Sequence, residues 1–421
     1  MRTLQFLTLA VITLSLASCS GSPTPDNVPP KDDPDKSNTT NDSADDSNDT
    51  DDSSSSDIDS LPDLGDYVLK VESYYGTYEV SQKELGTACK SLDGPHPEDW
   101  PEAPKPAKPY HIGVLFPHFK DPYWLAVNYG IIAEARRVGV SITLLDAGGY
   151  GNLGDQRKQL TSDAANLKVD GVILASIDYE KLDTAVDEVV GKGIPVVEVI
   201  NDIRAASITA KALVSFFDMG TEAGKFVVQD AGDKDVKVAF LPGPEGAGWA
   251  EDTLLGFRAA VDEKPETAGN VEILPELYGK TEAPVQRSRI KSVLDRNENV
   301  DYIVGNAVAA DVATDMVEQY KEKHPNLKIV GTYIIPAVYD KIEAGLIAAA
   351  PSDLTVDQGR MSVDMMVRLL NGDKPGDQEN GFPFRSGPVL QVITKETIEQ
   401  FSYERLFGPR DFKSILKFEP K

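Results

Sequence analysis

An α/β fold of two Rossmann-like lobes with parallel sheets is what this chain predicts, on three observations. Short apolar runs recur along it, each bounded by turn residues. Between them lie stretches whose apolar residues keep helical spacing. The series falls into two similar halves, and 421 residues are more than one lobe needs. Strands that alternate with helices pair in parallel, and parallel sheets bind ligands beyond the carboxyl ends of their strands.

Residues 1–19 open the chain as a signal peptide: Arg2 supplies the positive charge, Leu4 to Leu16 the apolar core, and Leu16-Ala17-Ser18-Cys19 the close. Residues 20–60 read as a disordered acidic linker, with twelve Asp against Lys31 and Lys36 in a background of Ser, Thr, Asn and Pro. As a flexible coil it spans roughly 35 Å, enough to hold a globular head away from a membrane. Tyr67 to Val80 alternates like a hairpin added to a sheet edge, and Pro95 to Pro109 reads as a Pro-rich connector. The first half then has strands at 110–116, 140–145, 170–175 and 195–200, with helices at 122–137, 154–167 and 179–192. The second has strands at 236–241, 271–275, 300–305 and 328–333, with helices at 219–230, 247–262, 283–297 and 307–323. A third section adds a strand near 347–350, a helix at 355–371 and a strand at 388–393.

A formal net charge of -26 with no basic stripe excludes nucleic acid as a partner, since neutralising phosphates takes clustered Lys and Arg. Catalysis has little to work with. His96, His111, His118 and His324 stand in no metal-ligand spacing and no G-x-S-x-G elbow occurs, so no enzyme, cofactor or metal is expected. An enzyme built on carboxylates alone stays open only as a third choice. Gly149-Tyr150-Gly151-Asn152-Leu153-Gly154 matches G-x-G-x-x-G, but it follows the second core strand and not the first, so a dinucleotide site is set aside. Cys89 has no histidine beside it and reads as a half-buried thiol without a role.

The aromatic residues are more informative. Tyr123 and Trp124 follow the first core strand, Tyr150 the second, Phe216 marks a passage between halves, Trp249 follows Leu241-Pro242-Gly243-Pro244, and Tyr333 follows Val330. Each stands at a strand's carboxyl end or at a passage. Ring faces carry negative charge density, so several rings meeting around a methylated ammonium make a cage. Asp121 joins them in the first loop, and Asn201, at the end of Val196 to Ile200, offers an amide from the first half.

Three resemblances follow from these residues. Leu16-Ala17-Ser18-Cys19 resembles the bacterial lipobox, which implies lipidation at Cys19 and a periplasmic protein anchored to a membrane, the outer membrane favoured because Ser20 follows. The two halves and the third section resemble the type I periplasmic-binding-protein fold, which implies three crossings between lobes, near Ser215, Ser352 and Ser386. The implied division is 61–216 plus 352–386 for the N-terminal lobe, 217–351 plus 387–400 for the C-terminal lobe, and 401–421 as a C-terminal tail. Third, Phe116 to Gly130, Asp146 to Tyr150, Met219 to Lys225, Pro242-Gly243-Pro244, Gly256 to Ala260, Ala350 to Asp353 and Gln358-Gly359-Arg360 are similar to the TorT-like family of periplasmic proteins that sense trimethylamine N-oxide.

That family resemblance implies a protein that closes on trimethylamine N-oxide and engages a membrane sensor histidine kinase. Asp121, Trp124 and Tyr150 fall on family binding positions, Tyr123 lies beside them, and Tyr333 falls on another pocket position. Phe216 stands where the family has tryptophan, so one cage wall is smaller here. Sugar-binding relatives have an Asn-Asp pair and an Asp two places after a Gly, where this chain reads Asn306-Ala307 and Gly331-Thr332-Tyr333. The expected ligand site is therefore Asp121, Tyr123, Trp124, Tyr150, Asn201, Phe216, Trp249, Asn306 and Tyr333. The competing expectation is a substrate-binding lipoprotein of an ABC importer, with a permease as partner and a sugar or other small solute as ligand.

Overall fold

The computed structural model describes residues 68–82 and 86–420. The expected signal peptide, Cys19 and acidic linker lie outside the described residues. In chain order the strands are β1 (Lys70–Gly76), β2 (Leu92–Asp99), β3 (His111–Phe116), β4 (Ser141–Asp146), β5 (Gly171–Leu174), β6 (Val196–Val199) and β7 (Ala210–Ala212), followed by β8 (Val236–Leu241), β9 (Val271–Ile273), β10 (Tyr302–Gly305), β11 (Lys328–Gly331) and β12 (Ala349–Ser352). Two short strands, β13 (Lys374–Pro375) and β14 (Gly381–Phe382), pair with each other. β15 (Arg385–Pro388), β16 (Gln391–Thr394) and β17 (Lys417–Phe418) complete the set.

One sheet runs β17-β4-β3-β5-β6-β7-β15-β1-β2 and a second runs β16-β12-β11-β10-β8-β9. From β4 to β15 the first sheet is parallel, as is the second from β12 to β9. Every residue of β5, β6 and β10 is buried, which is why β5 and β10 read as apolar runs and not as alternation, and β6 as one interrupted only by the buried Glu198. The α/β expectation of two lobes with parallel sheets is what the chain forms.

The chain leaves the first sheet after β7 and enters the second lobe through the helix Phe216–Ala231. It returns after β12 through the helix Thr355–Asn371, which packs on the helix Pro122–Val138, and passes over again between β15 and β16. The apolar run expected as one strand at 388–393 is thus shared between two sheets. Residues 401–421, expected as a tail, instead carry a helix at Tyr403–Phe407 and β17, which pairs with β4 in the first sheet. Asn128 fixes that return, accepting from Ile415 N at 2.8 Å and donating to Ile415 O at 3.1 Å.

Other elements depart from the sequence reading for local reasons. The hairpin expected within 67–80 supplies only β1, whose partner β2 lies partly in the expected connector. Pro95 and Pro97 are tolerated there because β2 is the sheet's outer edge, where a missing N–H leaves no neighbour unpaired. The helix expected at 154–167 contains a π turn at Gln159–Asp163, where the Thr161 hydroxyl donates to Arg157 O at 2.9 Å. The helix expected at 307–323 stops at Thr314, whose hydroxyl donates to Asp311 O at 2.8 Å, and resumes only at Val317–Tyr320.

Two glycines let helices touch by their backbones. A Cβ on Gly130 would lie 2.1 Å from Val356 O, and one on Gly256 would lie 1.8 Å from Phe217 O. The second contact seats the helix Gly248–Asp262 against the start of Phe216–Ala231, where the first passage meets the second lobe.

Candidate ligand-binding site

The site begins with a helix cap. Asp121 ends the loop after β3 in extended backbone, and its carboxylate accepts from Tyr123 N at 2.9 Å, while Pro122 occupies the first helical position. The cap fixes the first turn of Pro122–Val138, so Tyr123 and Trp124 are set against the carboxyl end of the sheet. Trp124 packs on Phe116 at 5.0 Å between ring centroids and Tyr123 on Trp124 at 5.6 Å.

From Tyr123 the rings continue into the second lobe. Tyr123 meets Tyr333 edge-on at 5.5 Å, Tyr333 meets Trp249 at 6.0 Å, and Trp249 meets Phe216 at 5.9 Å. Phe216 opens its helix directly after the cap Ser215, and Trp249 stands in the first turn of Gly248–Asp262. Tyr150, in the turn after β4, packs edge-on against His118 at 5.4 Å. Asn201 donates to the Tyr150 hydroxyl at 3.0 Å and to Ser176 O at 2.8 Å. The backbone that presents it is strained: Ile200, a β-branched residue, has φ 73°, a conformation that costs on the order of 1–3 kcal/mol and is held by its surroundings.

These side chains, with His118 and Thr281, line one cavity of about 30 Å³ in which the centre of a water molecule can move. Eight of the nine expected ligand residues line it: Asp121, Tyr123, Trp124, Tyr150, Asn201, Phe216, Trp249 and Tyr333. Asn306 does not. Its side chain caps the helix Ala307–Thr314 by accepting from Ala309 N at 3.1 Å and donates to Leu241 O at 3.2 Å, so both ends of the amide are spent on backbone. An Asn directly before an apolar helix carries the signature of a cap, and that signature outweighs the family position.

The electrostatics are one-sided. Burial pushes the Asp121 carboxyl up to about 6, against the pull of the Tyr123 N–H. Burial also raises the phenols of Tyr123, Tyr150 and Tyr333 and lowers His118, whose Nδ1 accepts from Lys120 N at 3.2 Å. Near neutral pH the lining is thus uncharged rings, the Asn201 amide, the Thr281 hydroxyl and one carboxylate, and no Lys or Arg is among the lining residues. Such a surface attracts a compact cation or the positive end of a dipole through ring faces and the carboxylate together.

Residues 112–374 match the family model described as a periplasmic binding protein domain. The chain belongs to the periplasmic binding protein family. Members of this family are ligand binders without catalysis, and the membership places the chain in the periplasm. It is 30% identical to the periplasmic protein TorT of Escherichia coli strain K12, over 75% of this chain and 86% of TorT. It is 24% identical to the D-allose-binding periplasmic protein of the same strain, over 68% of this chain and 91% of that protein.

Among solved periplasmic binding proteins, an ABC transporter solute-binding protein of a Bradyrhizobium species with bound Bis-Tris is 33% identical, with a TM-score of 0.69. That likeness covers 83% of this chain and 98% of the other. The complex of the TorS sensor domain with TorT, solved without ligand and with trimethylamine N-oxide, is 26% identical over 73% of this chain and 99% of that chain. Its TM-scores are 0.64 and 0.63 in the two states. His118 and Thr281 are the lining residues that the sequence reading missed. His118 lies inside the Phe116 to Trp124 run and was within reach, whereas Thr281 sits in the irregular stretch after β9, where neither periodicity nor motif marks it.

Proposed function

We propose that this protein closes around a small methylated amine or amine oxide, best matched by trimethylamine N-oxide, and passes the closed state to a membrane sensor histidine kinase. The observation that carries the proposal is the cavity itself: aromatic walls from both lobes, one carboxylate and no opposing cation among the lining residues. Trp124, Tyr150, Phe216 and Tyr333 supply ring faces, with Tyr123 and Trp249 completing the wall. Asp121 faces the cationic nitrogen and Asn201 orients Tyr150. A ligand that touches both lobes favours whichever hinge state brings both sets of contacts together. The kinase partner rests on the likeness to TorT, which forms a complex with the TorS sensor domain. Lipidation at Cys19, with an outer-membrane anchor and the acidic linker as tether, belongs to the same proposal, and mass spectrometry of the mature N-terminus in the membrane fraction tests it.

The second reading is the importer component, favoured by the 33% identity to an ABC transporter solute-binding protein and by the likeness to a D-allose-binding protein. Isothermal titration of the purified protein with trimethylamine N-oxide, glucose and ribose separates the ligand classes. Binding of the amine oxide alone supports the proposal. Strong sugar binding with no response to any methylated amine removes it and leaves the importer component.

A further inference from the structure

Trp249 differs from the other rings of the cavity in one atom. Its indole N–H is buried and has no hydrogen-bond partner among the described residues. A buried donor left unmade costs about 1–3 kcal/mol, so such a group is expected to be satisfied in some state of the molecule. The indole is donor only and cannot be satisfied by a proton from a neighbour. Its benzene edge is already used: a Cβ on Gly243 would lie 2.5–3.2 Å from the Cη2, Cζ3 and Cζ2 atoms of Trp249, so that edge lies against the loop after β8. The opposite, pyrrole edge carries the unpaired N–H, on a residue that lines the cavity.

The polar lining groups of the first lobe have partners within the protein. The Tyr123 hydroxyl donates to Asp353, the Tyr150 hydroxyl and Asn201 hold each other, and the Asp121 carboxylate takes Tyr123 N. Those groups belong to the first lobe or to the second passage. Trp249 belongs to the second lobe.

We infer that Trp249 is the specificity-determining donor of the site: its indole N–H binds an acceptor oxygen on the ligand, so the protein selects onium compounds that carry such an oxygen over those that carry only methyl groups. This rests on the methylated-amine reading of the cavity. An N-oxide is held at its positive end by Asp121 and the rings of the first lobe and at its oxygen by the second lobe. A purely methylated ion has the first attachment and lacks the second.

Trimethylamine N-oxide and tetramethylammonium make the test clean, because they have five heavy atoms each and differ by oxygen against methyl. Titration of the whole protein with both should show that Trp249→Phe, which keeps a ring and loses the donor, weakens trimethylamine N-oxide about tenfold or more. Tetramethylammonium should change less than about threefold. Equal weakening of both ligands, or of neither, overturns the assignment of Trp249 and leaves the amine reading intact. Binding of neither ligand to the unsubstituted protein overturns the amine reading and the assignment together. The indole ¹⁵N–H resonance of Trp249 gives a readout that needs no variant: its proton should move downfield with trimethylamine N-oxide and not with tetramethylammonium, and an unmoved resonance in the N-oxide complex overturns the assignment.

Discussion

Tyr123 donates its phenolic proton to Asp353 at 2.5 Å, and this bond ties the ligand cavity to both nearby passages between the lobes. Asp353 stands immediately after β12, at the second passage, and also accepts from Gln358 Nε2 at 2.8 Å. Gln358 Oε1 in turn accepts from Val214 N at 3.1 Å, at the first passage. A cavity wall, the start of one returning helix and the exit from β7 thus share one buried polar chain. Burial raises the Asp353 carboxyl, and its two donors hold it down.

Tyr123→Phe keeps the ring contacts with Trp124 and Tyr333 and removes the donor, leaving Asp353 with Gln358 alone. The expected loss is about 1–3 kcal/mol of stability, because a buried acceptor loses a partner that water cannot replace. Urea denaturation should show a lower midpoint with an unchanged slope. An unchanged midpoint would mean that the chain of bonds is incidental to the hinge.

Trp124→Ala removes a ring that packs on both Phe116 and Tyr123. With trimethylamine N-oxide as ligand the expected cost is about 2 kcal/mol, roughly a thirtyfold loss of affinity. Phe216→Trp should hold or improve affinity, since it enlarges the ring that faces Trp249. Titration calorimetry checks both, and a Trp124→Ala variant of undiminished affinity would remove the ring from the cage.

The parallel core was legible in the sequence because strands buried on both faces, such as Gly171 to Leu174 and Tyr302 to Gly305, read as short apolar runs. The cage rings were legible for the same topological reason, each following a strand that points at the cleft. Asn306 misled because a family position and a helix cap call for the same residue type, and only the bonds to Ala309 N and Leu241 O distinguish them. β2 and β17 were hidden because edge strands are specified by pairing and not by composition, as Pro95, Pro97 and the two paired residues of β17 illustrate. The Tyr123, Asp353, Gln358 and Val214 chain joins residues far apart in sequence, and periodicity carries no trace of it.

Gly256→Ala tests how tightly the second lobe is built against the passage. The added methyl would meet Phe217 O at 1.8 Å, too close for any rotamer change to relieve, so the helices must separate. Overpacking of this kind costs about 1–3 kcal/mol, and the displacement falls beside Phe216 in the cavity wall. Both stability and ligand affinity should therefore drop. A variant with wild-type values of both would show that the two helices slide without cost.

The carboxyl of Asp121 makes the pH dependence specific. Its pKa rises from 3.8 to about 6 on folding, so between those values the native state holds a proton that the unfolded chain has released. Stability from this group is therefore fully present below about pH 4, falls as pH rises through 6, and is constant above. Binding has the opposite sign. A permanently charged ligand such as tetramethylammonium prefers the ionised carboxylate, so its affinity should be weak at pH 5, rise through about pH 6 and level off above pH 7. Asp121→Asn can still cap the helix by accepting from Tyr123 N, so the fold should survive while both pH dependences flatten. Tetramethylammonium affinity that is flat across this range in the unsubstituted protein would show that Asp121 caps its helix without facing the ligand.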